Sequence, residues 1–209
     1  MDSYALLIAA SLNAGTVLAI AALGLLINEK AGIVNLGAEG MMLCAAIAGF
    51  ATVAHTGNFW FGFLAGMAAG AILAAIFGGL VIWLNTNQYA TGLALSLFGT
   101  GFSAFAGIQY VQVKLPEQTQ YAIPFLGDIP FLGMALFRQH PMVYIGIALM
   151  FGLIWFLYRT RTGLVLRSVG ESPESAHALG YSVRRIRLVA VMAGGALCGL
   201  AGAYLSTVY

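Results

Sequence analysis

The chain has 209 residues, of which 61% are hydrophobic and 8% charged, with a mean hydropathy of +0.91 and a formal net charge of +2. An ordinary globular domain carries about a quarter charged residues, so a water-soluble reading lacks the polar surface it needs. The small net charge makes no case for nucleic acid, because the basic residues gather at one membrane boundary and not on an aromatic-interleaved patch.

Six apolar segments follow one another at about 4–27, 41–54, 59–84, 93–113, 141–158 and 188–209. A helix needs roughly 20 residues to cross about 30 Å of hydrocarbon. The fold class is therefore an all-α integral membrane protein, a polytopic helical bundle with about six transmembrane segments. The N-terminus, Met1-Asp2-Ser3-Tyr4, has no basic stretch and no small-residue cleavage site, so it reads as a first span and not as a removable signal peptide.

Between the first two spans lies Asn28-Glu29-Lys30-Ala31-Gly32-Ile33-Val34-Asn35-Leu36-Gly37-Ala38-Glu39-Gly40-Met41-Met42. The second apolar run, 41–54, is too short to span alone, so Asn35 to Gly40 is expected at membrane depth as a broken or half-helical lead-in. Such backbone is tolerated only where protein or a water-filled cavity satisfies it. An ionisable group inside a span costs several kcal/mol unless paired or hydrated, so Glu39 sits either near the inner interface or among partners within the bundle. An ordinary cytoplasmic turn explains Glu29 and Lys30, but not Gly37-Ala38-Glu39-Gly40.

Farther along, Gly62, Gly66 and Gly70 form one small-residue ladder, and Gly195, Gly199 and Ala203 form another. A missing side chain at each turn lets two backbones approach closely, which marks these faces for packing against other spans. The 114–140 stretch is interrupted by Pro116, Pro124, Gly127, Pro130 and Gly133 yet kept apolar by Tyr121, Phe125, Phe131 and Phe137. It reads either as a connector or as part of an outer docking face. Cys44 and Cys198 both fall in apolar runs with no second Cys or His at metal spacing, as thiols acting as small hydrophobes do.

Six of the nine basic residues, Arg159, Arg161, Arg167, Arg184, Arg185 and Arg187, lie between the last two spans. Arginine clusters beside spans mark the cytoplasmic side. With 159–187 inside, alternation places 28–40 and 85–92 inside as well, and 55–58, 114–140 and both chain ends outside. Within this stretch Ser172 suits an N-cap, Pro173 the first helical position, Glu174 the positive helix end and Gly180 the stop. A helix of about two turns follows, to be gripped by a soluble partner or to serve as plain connection.

The two segments together, Glu29 to Met41 and Leu166-Arg167-Ser168-Val169-Gly170-Glu171-Ser172-Pro173 with Ala176 and Gly180, resemble the permease subunit of ATP-binding cassette (ABC) importers. The branch is the one serving ribose, other simple sugars, nucleosides and branched-chain amino acids, and the first motif is most similar to its nucleoside and simple-sugar members. The resemblance implies a pore of two permease subunits, the second a paralogue, with ABC ATPase subunits on the cytoplasmic side and an extracytoplasmic substrate-binding protein. It implies a multi-pass protein of the bacterial plasma (inner) membrane, in contact with membrane lipid, with no cofactor in this chain. Gly32, Asn35, Gly37, Glu39 and Gly40 match the family's substrate-side broken helix. Glu171, Ser172, Pro173, Glu174, Ala176, Leu179 and Gly180 match its coupling helix to the ATPase, with Ala176 and Leu179 expected to share one small apolar face. The chain reads as a single transmembrane domain, 1–209, which ends after a span where the family runs on, so the resemblance implies that the C-terminal part of the family domain is missing.

No H-E-x-x-H, G-x-S-x-G or G-x-x-x-x-G-K-[ST] occurs, so ATP hydrolysis is expected of a separate subunit, not of this chain. The alternative class is a secondary transporter or channel, which broken helices suit equally but which usually buries several ionisable residues.

Overall fold

The computed structural model describes residues 2–115 and 139–208. The helices are α1 Asp2–Lys30, α2 Ala38–Thr56, α3 Phe59–Trp83, α4 Gln88–Gly107 with a 3₁₀ turn Ile108–Tyr110, α5 Pro141–Arg159, α6 Arg161–Glu171, α7 Pro173–Ala178 and α8 Val183–Val208. No strand occurs among the described residues. Six helices, α1 to α5 and α8, are long and apolar enough to cross a membrane, and the chain is a multi-pass membrane protein. All but the ends of the 114–140 stretch lies outside the described residues.

Short polar caps set the helix boundaries. Asn58 Oδ1 accepts from Trp60 N at 2.9 Å to open α3, Asn87 Oδ1 from Tyr89 N at 2.9 Å to open α4, and Thr160 Oγ1 from Gly163 N at 3.0 Å to open α6. Gly57 closes α2 in the left-handed region, at φ 67°. Two boundaries differ from expectation. The last span begins at Val183 and takes Arg184, Arg185 and Arg187 into its first turns, since long arginine side chains extend to the headgroup level without stopping a helix. α2 is unbroken from Ala38, so the irregular backbone is the α1–α2 connection and not a break within the second helix.

The core sits around α8, which packs on α1, α2 and α3. The two small-residue ladders face each other there. A Cβ at Gly66 would strike Ala203 and the Gly199 carbonyl, one at Gly70 the Gly195 carbonyl, and one at Gly49 of α2 Ala203. Such close approach maximises dispersion contact where lipid supplies no hydrophobic drive. Tyr204, Phe77, Ile20 and Met41 fill the space between the helices. Cys44 and Cys198 are free and buried. α4 and α5 lie at the periphery, α4 against α2 and α5 against α1 and α6. Trp60 and Trp83, at opposite ends of α3, are exposed at the two levels where aromatic belts form.

Candidate functional site

The connections 31–37, 84–87 and 160–182 meet at one end of the bundle, and Gly57, Tyr110 and His140 lie toward the other. The grouping is the one that alternation of six spans demands.

At the arginine-rich end α1 stops in a tight reversal. Gly32 N donates to Glu29 O at 2.9 Å and Ile33 N to Asn28 O at 3.0 Å, with Gly32 at φ +76°. This pair of bonds is the Schellman arrangement, and its left-handed residue favours glycine. Gly32 also lies against α6: a Cβ there would come within 3.0 Å of the Gly170 carbonyl, and one at Gly170 would strike the Lys30 carbonyl. Arg187 of α8 seals the junction, its Nε donating to Ala31 O at 3.1 Å, where a cation also complements the helix C-terminus. The two sequence motifs, 138 residues apart at Gly32 and Gly170, are thus in backbone contact.

The lead-in to α2 is held by side chains and by α4. Asn35 is buried; its Oδ1 accepts from Gly37 N at 2.9 Å and its Nδ2 reaches Met41 Sδ at 3.6 Å. Its polar groups are therefore spent on turning the chain. From α4, Gln88 Oε1 accepts from Val34 N at 2.8 Å and Ser96 Oγ donates to Leu36 O at 2.9 Å. A Cβ at Gly37 would crowd Leu95, and one at Gly40 would strike the Leu95 carbonyl. Glu39 stands apart, exposed in the first turn of α2, where its charge complements the helix N-terminus. The bundle does not bury it, which leaves the boundary alternative. The residues 32–40 thus lie at the arginine-rich end of the bundle, just past α1, which at 29 residues is by itself long enough to cross the hydrocarbon.

α7 forms where the caps place it. Ser175 N donates to Ser172 Oγ at 3.4 Å, Pro173 takes the first position, and Gly180 follows at φ +87°. The expected common face of Ala176 and Leu179 is not present: Ala176 is 2% exposed and turned into its own chain, while Leu179 is 77% exposed. The reason is that α7 ends at Ala178, so Leu179 lies in the closing turn and helical spacing no longer applies. Of the residues expected to form the coupling helix, Glu171, Glu174, Leu179 and Gly180 are exposed. A cavity of about 820 Å³ separates α7 from the start of α8 and the 84–88 connection, lined by Asn85, Gln88, Glu174, His177, Arg184 and Arg187. Two polar side chains here are buried without partners, the amide of Asn28 and Nε of Arg167, although the Arg167 guanidinium sits 4.8 Å above the Tyr158 ring.

Sequence reasoning missed the polar cluster at the opposite end. Tyr204 Oη donates to Asn13 Oδ1 at 3.2 Å, and Asn13 Nδ2 donates to Gln139 Oε1 at 2.8 Å. His140 accepts from Met142 N at 3.2 Å and stacks on Tyr204 with ring centroids 5.4 Å apart. Burial holds the His140 imidazolium disfavoured, lowering its pKa from the ordinary value. Asn13, an amide inside an apolar run, was the available signal.

At its charged end this bundle of six membrane-crossing helices holds a reversal in backbone contact with α6, which leads directly into the short capped helix α7. The family model described as "Branched-chain amino acid transport system / permease component" matches residues 7–209, and the chain belongs to that family. It is 42% identical to the "Putative glucose ABC transporter permease protein TsgC13" of Haloferax volcanii, over 100% of this chain and 65% of that protein. It is 34% identical to the "Guanosine ABC transporter permease protein NupQ" of Bacillus subtilis, over 97% of this chain and 68% of that one. With the "Nucleoside ABC transporter permease protein NupC" of Lactococcus lactis it shares 30% identity, again over 97% and 68%. The chain thus spans about two thirds of the length of these relatives. No solved structure matches it.

Proposed function

We propose that this chain is the membrane-spanning permease subunit of an ATP-driven ABC importer, forming half of the translocation path for a small polar solute, a nucleoside or a simple sugar. The observation that carries the reading is the family match across residues 7–209, with relatives named for glucose, guanosine and nucleosides. In this reading an ABC ATPase engages the arginine-rich end through Glu171 to Gly180, an extracytoplasmic binding protein delivers the solute at the other end, and a second, paralogous permease completes the pore. The setting is a plasma membrane, the bacterial inner membrane, with 159–187 in the cytoplasm.

Gly32, Asn35, Gly37 and Gly40 then shape the cytoplasmic mouth of the path through backbone, and Glu39 is the side chain there that a solute can meet. Ser172, Pro173 and Gly180 bound the coupling helix, Ala176 seats it on its own chain, and Glu171, Glu174 and Leu179 face the ATPase. Free energy from ATP enters mechanically, because the Gly32–Gly170 contact sets α6, which leads straight into the coupling segment, against the end of α1.

The test is uptake of labelled glucose and guanosine by the transporter assembled with its ATPase and binding protein. The reading expects uptake that requires ATP and is abolished by an ATPase-inactive partner. Uptake driven by an ion gradient without ATP would favour the secondary transporter. Single cysteines at Ser175 and Thr56, both exposed, should label from opposite sides, and labelling from one side would overturn the topology.

A further inference from the structure

A second cavity opens on an outer face of the described bundle, between α5, α6 and α8. It has a volume of about 630 Å³, with Ile27 of α1, Leu153, Phe156, Val189 and Ala193 among its lining. A further cavity of about 420 Å³ shares Ile27, Leu153 and Phe156 with it and continues along α5 to Ile145. The two form one apolar groove. From Phe156 to Ile145 the helix rises about 16 Å, close to half the roughly 30 Å of hydrocarbon in a bilayer. The groove is therefore about as long as one leaflet is deep.

Its mouth has the opposite character. Arg161 and Arg185 border it at the charged end, beside the Thr162 hydroxyl and Tyr181. Both arginines are exposed, and neither is ion-paired among the described residues. Arg161 also opens α6, whose first-turn N–H groups favour an anion. Two unpaired cations above an apolar channel of leaflet depth match one chemistry: a negatively charged headgroup joined to an acyl chain.

We propose that this groove binds an anionic phospholipid of the leaflet on the arginine side, its phosphate between Arg161 and Arg185 and one acyl chain along α5 past Gly152. The lipid would brace α5 and α6 against α8. Elsewhere at this end α6 rests on Gly170 and Gly163, the latter packed on the Phe156 carbonyl.

The test uses the assembled transporter in nanodiscs of mixed phosphatidylglycerol and phosphatidylcholine, with retained lipid read by native mass spectrometry. The wild type should retain phosphatidylglycerol in preference. Arg161→Gln and Arg185→Gln should each reduce that preference by roughly fivefold, the scale of one basic residue at an anionic surface. Ala193→Phe, at an exposed position in the groove, should reduce retention while leaving both charges in place. No preference in the wild type, or unchanged retention in the double arginine variant, overturns the proposal. Unchanged retention in Ala193→Phe reduces the site to headgroup binding and overturns the groove. Shielding of a cysteine at Val189 from a membrane-soluble maleimide would place a protein helix there instead, and equally overturns it.

Discussion

The two ends of this bundle are held together by different physics. At the outer end Asn13, Gln139 and Tyr204 bond side chain to side chain, and His140 caps α5 while stacking on Tyr204. At the arginine-rich end side chains such as Arg187, Gln88 and Ser96 bond to backbone and not to one another, and the elements close on glycine, at Gly32 on Gly170 and Gly40 on Leu95, beside a cavity of about 820 Å³ and an Asn28 amide that has no partner among the described residues. Directional bonds tolerate small volume changes but not loss of a polar group, whereas close glycine contacts do not tolerate even one added carbon. The outer end is therefore fastened, and the inner end is fitted. If, as proposed, this end passes motion from an ATPase to the membrane, it is better fitted than fastened, because close-packed surfaces shift as units.

The largest expected effect lies at the fitted end. Gly170→Val places a carbon on the Lys30 carbonyl, whereas the same change at Gly79 of α3 meets nothing within 4 Å. Overpacking costs about 1–3 kcal/mol, so uptake by the assembled importer should fall at least about fivefold for Gly170→Val and stay within about twofold for Gly79→Val. Equal tolerance at the two positions would break the comparison, since the inner end would then not depend on fit.

Next comes the coupling helix. Leu179→Asp adds charge at a position 77% exposed, so folding and insertion should be unaffected while ATPase binding, followed by co-purification, weakens severalfold. Ala176→Asp would instead bury a carboxylate in the chain's own interior and lower the yield of folded protein. Normal ATPase binding and transport in Leu179→Asp would make α7 a connector.

How much of this was legible beforehand follows from the range of the interactions. The spans, the caps at Ser172 and Pro173 and the small-residue ladders are local patterns, and each is present where hydropathy, capping and spacing put it. The ladders even announced their packing, because Gly62, Gly66 and Gly70 have little else to do in a helix. What could not be read was who meets whom. Nothing local in Gly170 points to Lys30, and Leu179 left the face of Ala176 because the helix ended one residue before the spacing argument required. The outer cluster was illegible for the same reason: Asn13, Gln139 and Tyr204 are single polar residues scattered across the chain that become a site only by folding.

At the fastened end the effects should be smaller and should fall on stability instead of transport. Tyr204→Phe removes one hydrogen bond to Asn13 without changing shape. Side-chain hydrogen bonds between membrane helices average about 0.6 kcal/mol by double-mutant cycle, so Tyr204→Phe and Asn13→Ala should show a coupling near that size in detergent unfolding. Their uptake should stay within about twofold of wild type. A coupling near zero would mean that packing, and not the bond between Tyr204 and Asn13, holds the outer end.

The smallest effect sharpens the same contrast by pH. His140 lies outside the spans at the N-cap of α5, its Nδ1 accepting from Met142 N and its ring against Phe63 and Tyr204. Burial lowers its pKa from the ordinary 6.5, so the folded protein favours neutral imidazole while the unfolded chain takes up a proton more readily. Wherever the unfolded state binds more protons, stability rises with pH. The stability at stake is thus fully present above about pH 6.5 and declines as acidification passes that value toward the lowered folded pKa. His140→Asn keeps a side-chain cap acceptor but cannot titrate, so it should hold stability at pH 8 within about 1 kcal/mol and flatten the loss between pH 7 and pH 5. The check is the thermal midpoint of both proteins across that range. An identical acid loss in the variant would place the sensitive group elsewhere and remove His140 from what fastens the outer end.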